Sequence, residues 1–198
     1  VGNDMRMLVS DMAGRANIQI KGDELGFDLS DRELAARITD VVKQREMDGY
    51  SYESADASFE LLVRDEIGQL DKQFEVLKWR VLTSDEVSDE GDSEATVKVT
   101  VGEQTTARVG EGFGPLNALD KALRSALKKS HPQVEGFELT DYRVRILESA
   151  HGTDAITRVL IDTTDGRRRW TTVGVGTNVV EASWEALHDA YQWGLIAR

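Results

Sequence analysis

An α+β fold made from a duplicated unit is what this 198-residue chain predicts, and three matches within it carry the prediction. WRV at Trp79–Val81 returns as YRV at Tyr142–Val144, and ATVKVTV at Ala95–Val101 returns as AITRVLI at Ala155–Ile161. GEGFGPLNALDKAL at Gly110–Leu123 returns as GVGTNVVEASWEAL at Gly174–Leu187. The offsets are 63 (79 to 142), 60 (95 to 155) and 64 (110 to 174). Constant order with small drift is the mark of a duplicated supersecondary unit. Each copy reads as three strands and one helix. One helix cannot cover both its own sheet and its partner's, so the units should face each other, with a seam suited to a ligand.

Ahead of the repeat the texture is helical. Ser30-Asp31-Arg32-Glu33 has the capping-box form, so a helix should start there, with Leu34, Ala35, Ile38, Val41 and Val42 at helical spacing and a stop at Gly49. A second helix is expected from Ser54, with Phe59, Leu62, Val63 and Ile67 on one face and Gly68 past its end. These two make a small linker subdomain over residues 31–70. From Phe74 the period shifts toward two, with Leu77, Trp79 and Val81 alternating against Val76, Lys78 and Arg80. The acidic stretch Asp85–Glu94 reads as an exposed connection. Further strands are expected at Ala95–Val101, Gln104–Val109, Leu139–Glu148, Ile156–Thr163 and Arg168–Val175. Asp165-Gly166 signals a hairpin because both residues tolerate positive φ. Helices are expected at Leu116–Lys129 and Val179–Trp193, the first with a stripe of Leu116, Leu119, Leu123 and Leu127.

Composition bounds the function. With 40% hydrophobic residues the chain can bury a core, and no apolar run approaches the roughly 18 residues of a membrane span. A net charge of −12 repels phosphodiester backbones, which argues against nucleic acid as a partner. No cysteine is present, so thiolate metal sites and disulfides are excluded, in keeping with a cytoplasmic setting. The N-terminal VGNDMRMLVSDMAG is not a signal sequence, and without an initiating Met the chain reads as a fragment.

Catalytic motifs are missing. His131, His151 and His188 stand alone, with no second ligand at metal spacing, and there is neither a GxSxG elbow nor a GxxxxGK loop. The glycine-rich Gly110–Pro115 turn is more informative. Pro115 suits a first helical turn, and glycines before it let backbone amides approach an anion. Glu111 and the lack of a following lysine argue against phosphate and for a small carboxylate; a tight turn without ligand is the competing reading. Asp141-Tyr142 could hold an ammonium group and an apolar body together, or be a strand start beside a core Tyr. Arg167-Arg168-Arg169 reads as a solvated strand edge.

GEGFGPLNALDKAL, LTDYRVRILE, WTTVGV and EASWEAL together resemble the C-terminal regulatory domain shared by 2-isopropylmalate synthases and citramalate synthases. MAGRANI, GFDLS and GYSYESADASFELL are similar to the linker of the citramalate branch. The resemblance covers nearly the whole chain. It implies three parts: residues 1–30 leaving an absent catalytic barrel, the helical linker at 31–70, and the duplicated regulatory domain at 71–198. It implies a parent enzyme that condenses acetyl-CoA with a 2-keto acid, using a divalent metal held in that barrel; this portion would carry no cofactor and no catalytic residue. It implies a homodimer that senses an end-product amino acid. Carried over by motif, the effector residues are Phe113, Gly114, Leu116 and Asn117 at the glycine turn, Leu139, Asp141, Tyr142 and Ile146 on the DY strand, and Val179 at the second helix start. Where isopropylmalate synthases often show GRHAF, this chain has Gly14-Arg15-Ala16-Asn17-Ile18, which favours citramalate synthase with isoleucine as effector. Isopropylmalate synthase with leucine, a homocitrate synthase parent, and a purely structural dimerisation module stay open as alternatives.

Overall fold

The duplication shows in the strand register. A computed structural model describes residues 14–88, 91–147 and 155–196. The elements run α1 (Arg15–Glu24), α2 (Arg32–Met47), α3 (Asp56–Glu66), β1 (Glu75–Ser88), β2 (Gly91–Val101), β3 (Gln104–Gly112), α4 (Pro115–Leu127), β4 (Glu138–Ile146), β5 (Thr157–Thr164), β6 (Arg169–Gly176) and α5 (Val179–Ile196). Two antiparallel sheets result, ordered β1-β2-β3 and β4-β5-β6. Trp79 pairs with Val97 and Val97 with Arg108; Tyr142 pairs with Ile161 and Ile161 with Thr172. The structural offsets are therefore 63 for the first strand (79 to 142) and 64 for the others (97 to 161, 108 to 172). The match of Ala95 with Ala155 is four residues out of phase: Ala95 corresponds to Val159, each opposite the glycine of its third strand. An even slip preserves the in-and-out alternation of a strand, so pattern alone could not detect it.

Both units also keep a β-bulge at the same place. Leu77 is the extra residue between Val76 and Lys78, and Thr140 is the extra residue between Leu139 and Asp141. A bulge flips the phase of the residues beyond it. Val76 thus shares the helix-facing side with Trp79, as Leu139 does with Tyr142, while Leu77 is left 49% exposed. The expected alternation of Leu77 with Trp79 fails for this reason.

Each sheet receives its helix through glycine. A Cβ on Gly110 would overlap the Ala122 amide and the Ala118 carbonyl, and a Cβ on Gly174 would overlap the Ala182 carbonyl and the Ala186 amide. Strand and helix backbones therefore approach through Gly-on-Ala contacts at equivalent positions. α4 lies on β2 and β3, α5 on β5 and β6, and the helices touch each other. One core runs through both units, from Val97, Leu119 and Leu123 to Ile161, Leu187 and Tyr191.

The helical region docks on the second unit. Ile18, Leu29, Ile38, Val42, Phe59 and Val63 share a core with Val173 of β6, and Leu160 of β5 packs against it. β6 is an edge strand whose outward amides need partners. The Val173 amide donates to Ser58 Oγ (3.0 Å), and Ser58 donates to Asp189 (2.8 Å). The Val175 amide donates to Glu185 (2.8 Å), whose other oxygen accepts from the Tyr50 hydroxyl (2.6 Å). Arg158 holds the carbonyls of Gly49 and Tyr50.

Several local expectations change. The cap of α2 is Asp31, not Ser30: its carboxylate accepts from the amides of Glu33 (2.8 Å) and Leu34 (3.0 Å). α3 starts at Asp56, two residues after Ser54, with no side-chain cap. α1 has no signature in the sequence, because Ile18 is its one fully buried apolar side chain and leaves no stripe to read. The acidic stretch lies largely within β1 and β2, which pair up to Ser88 and Gly91. At Asp165-Gly166 only Gly166 has positive φ; the Asp165 carboxylate instead collects the amides of Arg167 and Arg168. Arg168 is not simply solvated, since it pairs with Asp165 (2.7 Å) and lies over the Trp170 and Trp193 rings. His131 faces the Gln73 carbonyl and His188 the Phe74 ring, whereas His151 is outside the described residues.

Gly110→Ala or Gly174→Ala should each lower unfolding free energy by roughly 2–3 kcal/mol, the cost of forcing atoms into a packed contact. Gly136→Ala is the control, because a Cβ there meets nothing within 4 Å. Urea titrations check this, and near-wild-type midpoints for the first two would contradict the packing. A second expectation concerns Glu185, whose pKa burial pushes above the ordinary 4.5 despite the Tyr50 and Val175 hydrogen bonds. The stability that this shift contributes is full below pH 4.5 and lost as pH rises through the folded value. In urea titrations from about pH 4 to 7, wild type should therefore lose stability relative to Glu185→Gln as pH rises. A difference independent of pH would be the contrary result.

Candidate effector site

A cavity of about 580 Å³ opens where the two units meet. Its walls come from the turn ahead of α4, from β4, and from the first turn of α5. Pro115 fixes the first residue of α4 and Gly114 precedes it at φ 86°, a left-handed conformation that favours glycine. The Gly114 amide donates to Asp92 (2.7 Å), which pins the turn to the β1–β2 hairpin and draws the Asp92 carboxyl below its usual range. No side chain caps α4, and its first intrahelical bond runs from the Ala118 amide to the Gly114 carbonyl. α5 differs at the equivalent place, where Asn178 accepts from the Glu181 amide (2.9 Å).

The side walls are apolar: Pro115, Leu116, Phe137, Leu139, Val179 and Val180. Tyr142 crosses from β4 to α5. Ser183 has one hydroxyl proton and donates it to the Val179 carbonyl, so the Tyr142 hydroxyl must donate to Ser183 (2.7 Å). At the floor, Asp120 is gripped by Arg124 (2.9 Å) and by the Tyr191 hydroxyl (2.7 Å). Burial, then the Asp120 charge, push the Tyr191 hydroxyl well above its ordinary pKa, which keeps it protonated as the donor. Arg124 spends its other nitrogen on the carbonyls of Val134 and Phe137. The floor is thus charge-paired, and the walls can enclose a compact apolar group.

Seven residues expected from the sequence line this cavity: Phe113, Gly114, Leu116, Asn117, Leu139, Tyr142 and Val179. Two do not. Asp141 points to the face opposite Tyr142, as successive strand residues do, and its carboxylate accepts from the Tyr142 amide (2.9 Å) and pairs with Arg143 (3.1 Å). Ile146 lies at the far end of β4 and is 68% exposed. Asp120, Arg124, Phe137, Glu138, Val180 and Ser183 also line the cavity and escape the motif reading. Helical spacing from Leu116 would have reached Asp120 and Arg124, because positions four apart share a face. Among the described residues no group of His, Asp or Glu side chains gathers as a metal site, and no helix is long and apolar enough to cross a membrane.

The family model described as the LeuA allosteric (dimerisation) domain matches residues 53–195. The chain belongs to that family. It is 56% identical over 99% of its length to an (R)-citramalate synthase of Streptomyces coelicolor, and 45% identical over 98% to an (R)-citramalate synthase of Synechocystis sp.. A 2-isopropylmalate synthase of Shigella flexneri is 25% identical over 93% of the chain. The chain spans 37% of the length of the two citramalate synthases and 33% of the isopropylmalate synthase. The chain is therefore a regulatory, dimerising α+β domain of this family.

Proposed function

We propose that the chain is the feedback-regulatory and dimerisation region of a citramalate synthase and that isoleucine binds in the seam cavity. The observation that carries this reading is the cavity itself, apolar on its walls and ending at a helix start without a side-chain cap. Free amides and the helix dipole there favour a carboxylate. Leu116, Leu139 and Tyr142 offer an aliphatic side chain a dry surface, and such burial is worth roughly 1.5–3 kcal/mol. The citramalate synthase relatives support the choice of isoleucine over leucine. Condensation of acetyl-CoA with pyruvate, and the divalent metal it needs, are assigned to a catalytic barrel outside this chain, in a cytoplasmic enzyme.

Calorimetric titration with isoleucine, leucine and valine tests the reading. Isoleucine should bind, Tyr142→Ala should weaken it by more than tenfold, and Arg169→Ala should leave it unchanged. No heat with any of the three amino acids would leave only a structural dimerisation module. On the same preparation, sedimentation should give a dimer, with an interface well above about 1,000 Å². A coupled acetyl-CoA and pyruvate assay, with magnesium or manganese, should show no thioester cleavage. A monomer at micromolar concentration, or cleavage by clean protein, would overturn that part.

A further inference from the structure

The outward face of the first sheet carries a like-charge pair of a kind that the second sheet neutralises. Lys78 on β1 lies directly opposite Lys98 on β2, and at the next position on the same face Arg80 lies opposite Thr96. Val97 and Val99, to either side of Lys98, are buried in the core with α4, so the three cations project from the face away from the helix, where they are exposed. Side chains directly opposite one another stand roughly 4.5–5.5 Å apart at Cβ, and like charges so placed repel. In the second unit the corresponding residues are Asp141 (78 to 141), Asp162 (98 to 162) and Arg143 (80 to 143). There the two acids lie opposite each other and Arg143 bridges them, 3.1 Å from Asp141 and 2.8 Å from Asp162. The first unit keeps the arginine and has lysine in place of both acids. Arg80 donates to the Thr96 hydroxyl (3.3 Å), and among the described residues none of the three cations has an ion pair.

We propose that Lys78, Arg80 and Lys98 form a site for a compact diphosphate group, which bridges the lysine pair as Arg143 bridges the acid pair in the twin. The guanidinium fork matches two phosphate oxygens and each lysine adds a point charge. A lone carboxylate would answer only one of the three cations, whereas a diphosphate has oxygens for all. Glu94 and Glu111, opposite each other at the next position on this face, bound the patch with negative charge. A short anion fits inside that bound, and a long phosphodiester chain does not. Exposed Leu82 and Val109 flank the cations and offer apolar surface to the body of a nucleotide. The site lies on the sheet face away from the seam cavity and does not rest on the effector reading.

Calorimetric titration of the full 198-residue chain in magnesium-free buffer tests this, with sodium pyrophosphate and ADP as probes. Pyrophosphate should bind at one site per chain. Tighter binding of ADP would assign the site to a nucleotide, and equal or weaker binding to the free diphosphate. Lys78→Gln and Lys98→Gln should each weaken binding about tenfold or more. Lys121→Gln on α4, which removes the same charge elsewhere, should leave it unchanged. Lys78→Asp combined with Lys98→Asp gives Arg80 the two acid partners of its twin and should abolish binding while circular dichroism stays native. If that double variant does not fold, the two glutamine variants decide. No heat with either probe, wild-type affinity in both glutamine variants, or an equal loss in Lys121→Gln would overturn the proposal. Tighter binding of hexaglutamate than of pyrophosphate would overturn it in favour of an acidic protein segment.

Discussion

Backbone contact between a third strand and its helix, made twice through Gly110 and Gly174, is the constraint on which this architecture depends. A side chain at either position would push the helix off the sheet, because the atoms it would meet are backbone amides and carbonyls rather than flexible side chains. With the helices held close, one α-helix reaches the core of both units: α5 lies on β5 and β6, touches α4, and stacks Trp184 on Trp79 of the first sheet. The seams exist because each first strand projects past the cover of its own helix. Close packing is joined by buried hydrogen bonds, from Thr172 to the Ala186 carbonyl (2.7 Å), from Trp170 to the Ala190 carbonyl (3.1 Å) and from Gln192 to the Phe74 carbonyl (2.7 Å).

The two copies have since been used differently. At the start of α4 a glycine with φ 86° stands where α5 has the capping Asn178, and Asp120 stands where α5 has Trp184. A glycine N-cap in place of asparagine forgoes only roughly a few tenths of a kcal/mol, and an acid facing a cavity must be charge-paired to be tolerated. Both fall on the same seam.

α5 joins the parts mechanically. Its first turn, at Val179, Val180 and Ser183, forms one wall of the cavity, and Glu185 and Asp189, one and two turns on, hold the helical region through Tyr50 and Ser58. The helical region touches the second unit through β5, β6 and α5, while the glycine turn of the cavity belongs to the first. Anything that draws the α4 start and α5 together therefore acts on the element that carries the linker.

Local pattern alone specifies the duplication, the α+β class and the order of strands and helices from Phe74 onward, whereas Leu116, Leu139 and Val179 of the cavity wall were reached only through the family resemblance. The first three are encoded in period-two and helical spacing and in the GEGFGP turn. Phase was settled by tertiary packing. The bulges at Leu77 and Thr140 brought Val76 and Trp79, and Leu139 and Tyr142, each to one face, and the true register of β5 lay four residues from the apparent match. The floor of Asp120, Arg124 and Tyr191 was hidden for a different reason. Its members are ordinary helix residues until two helices 71 positions apart are brought side by side, and a hydrogen bond such as Tyr191 to Asp120 is specified by packing rather than by local pattern. α1 stayed unread because a helix with one buried apolar side chain has no periodic signal, and it exists through contacts supplied by Leu29 and the rest of the helical core.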